Sequence, residues 1–68
     1  MRDMTQREAR QRAAVYDMGL SHKNGEFRVF FPEFGYDKQE RTAYYTTDAE
    51  DAALTAGAMR RRESNNAR

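Results

Sequence analysis

The stretch NGEFRVFFP, residues 24–32, joins a turn dipeptide to an alternating apolar pattern and a chain breaker. The dipeptide Asn24-Gly25 tolerates positive backbone φ, so it predicts a turn within the polar segment 21–25. Residues 26–31 then predict a strand in which three apolar side chains share one face, namely Phe27, Val29 and Phe31. The opposite face carries Arg28 and Phe30. Pro32 cannot donate to a strand ladder, so it ends this strand or confines it to an edge.

A second strand is predicted over residues 40–46, which are rich in the strand-forming residues Thr and Tyr. Residues 33–39 lie between the two strands and predict a hairpin connection longer than a two-residue turn. Because neighbouring side chains of a strand point to opposite faces, Tyr44 and Tyr45 are expected on opposite sides of the hairpin.

Helices are predicted on both sides of this hairpin. Residues 5–8, TQRE, have the spacing of a capping box and predict a helix over about residues 5–18, with Gly19 as its stop. Residues 47–50, TDAE, form a second such box and predict a final helix that continues to Arg62. That helix has a small-residue face suited to close packing on a sheet, with Met59 at its margin. The face consists of Ala49, Ala52, Ala53 and Ala56.

The sequence therefore predicts a small α+β domain of order α-β-β-α over residues 1–62, with an antiparallel hairpin, extended at most by a short third strand, packed against the helices. Residues 63–68 are expected to be a frayed tail. Of 68 residues, 26 are apolar or aromatic, but Leu, Val and Phe number only eight and Ile is absent. The ten alanines, four phenylalanines and four tyrosines indicate a modestly stable core of aromatic rings packed on alanines.

Composition argues against several functional classes. The absence of Cys excludes disulfides and thiolate chemistry and favours an intracellular, cytoplasmic protein. The charged start does not resemble a signal peptide, and no stretch is long and apolar enough to span a membrane. A domain this small rarely forms a catalytic cleft, so we expect no enzyme activity, no cofactor and no metal. The lone His22 lies in a polar turn, and the spacing of the acidic residues does not match a calcium loop.

Arginines suggest one candidate surface, for phosphate groups of nucleic acid. Its members would be Arg28, Arg41, Arg60, Arg61 and Arg62. The competing interpretation is structural, since acidic residues open the final helix and arginines close it, as suits a helix macrodipole. With a net charge of only +1, the sequence leaves both interpretations open.

Aromatic residues suggest the second candidate surface, for a protein partner. Rings set among charges are typical of interface hot spots. Such rings can also stack on the bases of single-stranded nucleic acid, but they more often form core and cross-strand pairs. The predicted partner-binding residues are Arg28, Phe30, Phe34, Tyr36, Asp37 and Tyr44.

Residues 25–62 resemble the arm-type DNA-binding domain of phage integrases in three segments: 25–29 (GEFRV), 44–47 (YYTT) and the Ala-rich helix at 49–59. That resemblance implies a three-stranded sheet on one helix, with the sheet entering the major groove. In size, lack of Cys, mixed charge and aromatic sheet, the chain also resembles the small phage and mobile-element inhibitors grouped as anti-CRISPR proteins, which share no common motif.

Two functions are therefore expected. The first is a non-enzymatic inhibitor of phage or mobile-element type that covers a surface of a larger nucleoprotein or enzyme. The alternative is a small DNA-binding module that uses the aromatic and basic sheet face with Arg60–Arg62. The identity of the partner is open, and so is the formation of a homodimer.

Overall fold

The computed structural model describes residues 4–66, which form three helices and three strands. In chain order they are α1 (Gln6–Val15), β1 (Gly19–Lys23), β2 (Glu26–Phe30), α2 (Tyr36–Thr42), β3 (Tyr44–Thr46) and α3 (Ala49–Asn66). The three strands form one antiparallel sheet in the order β1-β2-β3. The predicted α+β class is confirmed, and the short third strand that the sequence allowed is present.

The first helix begins as its capping box predicts. Thr5 Oγ1 accepts a hydrogen bond from the Glu8 amide at 3.1 Å, and Glu8 Oε1 accepts one from the Thr5 amide at 2.9 Å. The predicted end at residue 18 is wrong, because α1 ends at Val15 and Asp17 adopts φ 57°. The Met18 amide then donates to Ala13 O at 2.9 Å, which satisfies an orphan carbonyl of the last turn.

Strand β1 occupies residues that the sequence assigned to a helix end and a polar turn. Only Asn24-Gly25 remains as the turn, with Lys23 paired to Glu26 and with φ values of 54° and 78° at its two residues. Two residues at positive φ suit a tight hairpin. Gly19 begins this strand, and the ring of Phe30 lies over it. Glycine fits this position because a Cβ atom there would overlap the ring. GLSHK contains few strand formers, so pairing with β2 determines its conformation.

Helix α2 replaces most of the predicted hairpin connection and the first half of the predicted second strand. Residues 36–42 are helical, and β3 retains only residues 44–46. The Thr42 hydroxyl donates to Lys38 O at 2.8 Å, so this strand-forming residue is accommodated in the last helical turn. Contacts of the helix with the sheet, described below, outweigh the local strand preference.

The final helix starts one residue later than predicted and ends later. Asp48, and not Thr47, is the N-cap: its Oδ1 accepts from the Glu50 amide at 3.1 Å and its carbonyl accepts from the Ala52 amide at 3.0 Å. The helix continues to Asn66, so the described part of the expected tail is helical. Residues 1–3 of the expected domain and residues 67–68 of the expected tail lie outside the described residues.

The core lies between the sheet and the pair formed by α1 and α3, which contact each other and lie on the same sheet face. Six of its eleven buried apolar residues are alanines, so the helices approach the sheet closely. From the sheet, Phe27, Val29 and Phe31 point into this core, as the alternation predicted. The predicted alanine face of the last helix, Ala49, Ala52, Ala53 and Ala56, is also buried.

Candidate functional site on the outer face of the sheet

The sheet has a second face, which we call the outer face, on the side away from α1 and α3. Alternation along the strands places these residues there: Ser21, Lys23, Glu26, Arg28, Phe30 and Tyr45. Because both long helices lie on the inner face, the outer face is contacted by the short helix α2 and keeps exposed side chains. Tyr45, for example, is 45% exposed.

Arg28 is the centre of a polar and aromatic cluster on the outer face. Its Nε donates to Glu40 Oε1 at 2.9 Å, and one terminal nitrogen donates to Gln39 Oε1 at 3.0 Å and also to Glu40. The guanidinium lies over the ring of Phe30, 4.6 Å from its centroid. The Tyr45 hydroxyl donates weakly to both oxygens of Glu40, at 3.4 and 3.5 Å. We call these five residues the Arg28 cluster: Arg28, Phe30, Gln39, Glu40 and Tyr45.

The ion pair between Arg28 and Glu40 determines the electrostatics of this cluster. Burial lowers the pKa of the Arg28 guanidinium, but hydrogen bonds with Tyr45 and Glu40 outweigh that effect and raise the pKa overall. Arg28 therefore stays charged, and the carboxylate of Glu40 compensates the charge locally. On the rest of the outer face, the opposite charges of Lys23 and Glu26 also compensate each other. The candidate surface is close to neutral.

Helix α2 positions both acceptors of Arg28. Gln39 and Glu40 are adjacent on its sheet-facing side, and the Gln39 amide nitrogen also donates to Phe31 O at 3.4 Å, which connects the helix to the end of β2. The side chain of Arg28 is only 21% exposed. Three neighbours thus hold the Arg28 side chain in place, which lowers the entropic cost of binding through this residue.

The predicted partner-binding residues occupy different environments. Arg28 and Phe30 belong to the cluster, whereas Phe34 is half-buried with its ring 4.6 Å from that of Phe31 and with the Lys38 ammonium 4.2 Å from its centroid. Phe34 is therefore an extension of the core. Tyr36 is 78% exposed at the start of α2, and Asp37 is exposed in the same turn.

Tyr44 does not share a face with Arg28 and Phe30. It pairs with Val29 in the sheet, so its side chain lies on the inner side, where its hydroxyl donates to Asp51 Oδ2 of α3 at 2.7 Å. This bond raises the pKa of Tyr44 and lowers the pKa of Asp51. Tyr45 takes the position opposite Arg28. The pleat predicted that the two tyrosines would separate, but the pairing register decided which one faces outward.

The structure does not bring the five predicted phosphate-binding arginines together. Arg60 connects α3 to the inner side of the fold: it donates to Tyr16 O at 2.9 Å, to Asp17 O at 2.7 Å and to both oxygens of Glu33 at 2.6 and 3.1 Å. Its guanidinium also lies 5.1 Å from the centroid of Phe31, on the face opposite Arg28. The other three are exposed on α2 and α3: Arg41, Arg61 and Arg62.

The hydrogen bond from Arg60 lowers the pKa of Glu33, and the same bond raises the pKa of Arg60. Arg60 and Arg28 thus each have a carboxylate partner, which weakens both as phosphate ligands.

Sequence reasoning missed Gln39, Glu40 and Tyr45 as members of the site, and Glu33 as the partner of Arg60. Tyr36, Gln39 and Glu40 have the spacing of one helix face, but two of the three are polar, so they form no apolar helical pattern, and the local composition of the segment favours a turn and a strand. Within residues 4–66, no group of three or more acidic or histidine side chains is placed to hold a metal ion, and no helix is both long and apolar enough to cross a bilayer.

No protein-family model, curated protein or solved structure matches this chain.

Proposed function

We propose that this protein is a non-enzymatic binding protein that covers a surface of a larger enzyme or nucleoprotein, with the Arg28 cluster at the centre of its contact surface. The observation that carries the proposal is the combination of an open sheet face with a preorganised, charge-compensated set of Arg, Phe and Tyr side chains. Arg and aromatic residues are enriched at the centres of protein interfaces.

Preorganisation supports this proposal. A free surface arginine loses rotamer freedom when it binds, but Arg28 is already held by Gln39, Glu40 and the ring of Phe30. The exposed rings of Tyr36 and Tyr45 add contact area with few rotatable bonds. The surface can therefore bind with little reordering of its own side chains.

Neutrality indicates the chemistry of the partner. A protein surface that binds nucleic acid needs cations that are free to replace the counterions of the phosphates. Arg28 already has a carboxylate partner. The partner surface that fits is a protein surface with apolar area for the rings and polar groups that accept from the tyrosine hydroxyls and pair with the flanking charges. We place this activity in the phage or mobile-element setting, where small proteins inhibit a larger host machine stoichiometrically, in the cytoplasm of a bacterial host.

The proposal is tested by affinity capture from the native host with matched variants, read by mass spectrometry. The parent is compared with Tyr45→Ala and Tyr36→Ala, and Val15→Ala serves as control because Val15 is as exposed as Tyr36, at 78%, but lies on α1. We expect one host protein to be enriched by the parent and by Val15→Ala and to lose roughly tenfold or more in affinity with the tyrosine variants.

The captured protein is then purified and titrated with the parent chain. Stoichiometric inhibition of its activity, reduced by Tyr45→Ala, is the expected result. If the tyrosine variants capture and inhibit as the parent does while circular dichroism shows them folded, the outer face is not the contact surface and the proposal is wrong.

A small DNA-binding module is the second candidate, and the three-stranded antiparallel sheet followed by a helix favours it, because the integrase arm-type resemblance implies that arrangement. With Arg28 and Arg60 paired to carboxylates, the exposed cations on or near the sheet and α3 include Lys23, Arg41, Arg61 and Arg62. We therefore expect weak binding to random duplex that falls steeply as salt rises.

Binding to duplex DNA is measured by fluorescence anisotropy from low to physiological salt. Absence of binding at low salt would eliminate this second candidate. Salt-resistant, sequence-selective binding in the nanomolar range would place it ahead of the inhibitor proposal.

A further inference from the structure

The outward side of α3 carries an exposed apolar pair between acidic and basic residues. Leu54 is 66% exposed at the centre of this side, and the exposed Ala58 follows one turn later. Acidic residues precede this apolar pair and arginines follow it, so that Glu50 and Asp51 lie on one end and Arg61 and Arg62 on the other. We call these six residues the α3 stripe.

We infer that the α3 stripe is a self-association surface that pairs α3 with the α3 of a second copy of this chain, in antiparallel orientation about a two-fold axis. A two-fold interface must be self-complementary, so each residue must suit the residue that the rotation places opposite it. The α3 stripe meets this condition both in shape and in charge.

Helical geometry gives the pairing. An axis that passes midway between Leu54 and Ala58 places the Leu54 side chain of each copy against Ala58 of the other, so a large residue meets a small one. At 100° per residue, Glu50 and Arg61 lie on one flank of the stripe, while Asp51 and Arg62 lie on the other. The two-fold axis is perpendicular to both helices, so each flank of one α3 lies beside the same flank of the other. Glu50 therefore faces Arg61 and Asp51 faces Arg62 across the interface.

The acidic residues alone have a simpler explanation, since Glu50 and Asp51 lie in the first turn of α3 and stabilise the helix dipole there. The expectation that arginines close this helix is wrong, because α3 continues to Asn66 and its last turn carries no basic residue. The dipole explanation does not account for Leu54, which is exposed in a chain with only two leucines. It also predicts no association that increases with protein concentration. The centre of the stripe lies on the side of α3 away from the sheet, and Asp51 on one flank also accepts a hydrogen bond from the Tyr44 hydroxyl at 2.7 Å. Pairing leaves the outer face of each copy open and does not depend on the proposed function.

The size of the surface determines the expected strength. Helix α3 has 18 residues and a length of about 27 Å. One helix face contributes an area at or below the roughly 1,200 Å² of the smallest stable interfaces, so we expect a dissociation constant on the order of 100 μM.

Sedimentation equilibrium over roughly 10 μM to 1 mM brackets this affinity. Leu54→Asn is expected to weaken association roughly tenfold or more, because the two-fold axis makes each substitution act twice. Val15→Asn, at an equally exposed apolar residue on α1, is the matched control and should associate as the parent does. Circular dichroism checks that each variant is folded.

Charge reversal separates pairing from the helix dipole. Glu50→Arg and Arg61→Glu are each expected to weaken association roughly fivefold, because each places two like-charge pairs in the interface. The double variant Glu50→Arg/Arg61→Glu should restore it, although it opposes the dipole and lowers thermal stability. The inference is overturned if the parent is monomeric throughout this range, if Leu54→Asn associates like the parent, if Val15→Asn loses association equally, or if the double variant fails to restore it.

Discussion

Replacing Arg60 by alanine should destabilise the fold far more than replacing the next residue, Arg61. The Arg60 side chain, which is 22% exposed, joins three parts of the molecule: the two carbonyls that directly follow α1, the loop after β2 through Glu33, and the ring of Phe31. Arg61 is exposed on the same helix turn and has the same helix propensity, so it is the matched control.

The expected magnitude follows from these contacts. The two carbonyl bonds cap the end of α1 and contribute about 1 kcal/mol together, after allowance for their exposure. The forked pair with Glu33 is solvent-accessible, since the Glu33 side chain is 49% exposed, and contributes about 0.5 kcal/mol. Contact of the guanidinium and its aliphatic stem with Phe31 adds about 0.5 kcal/mol.

Arg60→Ala should therefore cost about 2 kcal/mol, a large fraction of the stability of a domain this small. In thermal melts this corresponds to a decrease in Tm of roughly 8 to 16 °C. Arg60→Lys keeps the charge, but an ammonium group cannot donate to Tyr16 O, Asp17 O and Glu33 together as the planar guanidinium does. Lysine should therefore recover less than half of the lost stability.

Melts and urea titrations at low micromolar concentration, where self-association is negligible, provide the measurement. Arg61→Ala should stay within about 0.5 kcal/mol of the parent. If Arg60→Ala also stays within that range, the contacts of Arg60 do not stabilise the fold and this reasoning is refuted.

Three further predictions concern the core and the loop after β2. Ala53→Leu and Ala56→Leu should each cost roughly 1 to 3 kcal/mol in urea titrations, because both residues are buried where α3 packs closely; two parent-like variants would contradict that packing. Phe34→Ala should lower Tm because its ring packs on Phe31, and an unchanged Tm with weaker partner binding would instead make Phe34 part of the contact surface. The pKa of Glu33 is lowered from 4.5, so the stability that its carboxylate contributes is complete above about pH 4.5 and is lost as pH falls through its folded-state pKa. The difference in stability between the parent and Glu33→Gln should therefore disappear in acid. A difference that does not change with pH would contradict this role of Glu33.

Local patterns located much of the inner layer of the fold. The capping box at residues 5–8, the alternation of Phe27, Val29 and Phe31, and the alanine face of α3 each depend on side chains a few residues apart, which is the range over which helix and strand periods act. For this reason the inward-facing residues of β2 and α3 could be predicted without knowledge of their neighbours.

The candidate site was predicted less completely. Arg28 and Phe30 were found because their strand alternates clearly, but Gln39 and Glu40 lie in a segment whose helical state depends on contacts with β2. Arg60 was grouped with its exposed neighbours although its partners, Tyr16, Asp17 and Glu33, are at least 27 residues away. A long-range ion pair leaves no signal in a single sequence.

The sequence by itself determined the α+β class, the position of the turn at Asn24-Gly25 and the division of β2 into an inner and an outer face, because each follows from local backbone preference or side-chain period. Only the tertiary structure decided that residues 19–23 form a strand, that Tyr45 and not Tyr44 faces outward, and that both long helices cover the same side of the sheet. The physical reason is that strand pairing, register and helix placement are selected by the free energy of contacts between distant segments, which outweighs weak local propensities.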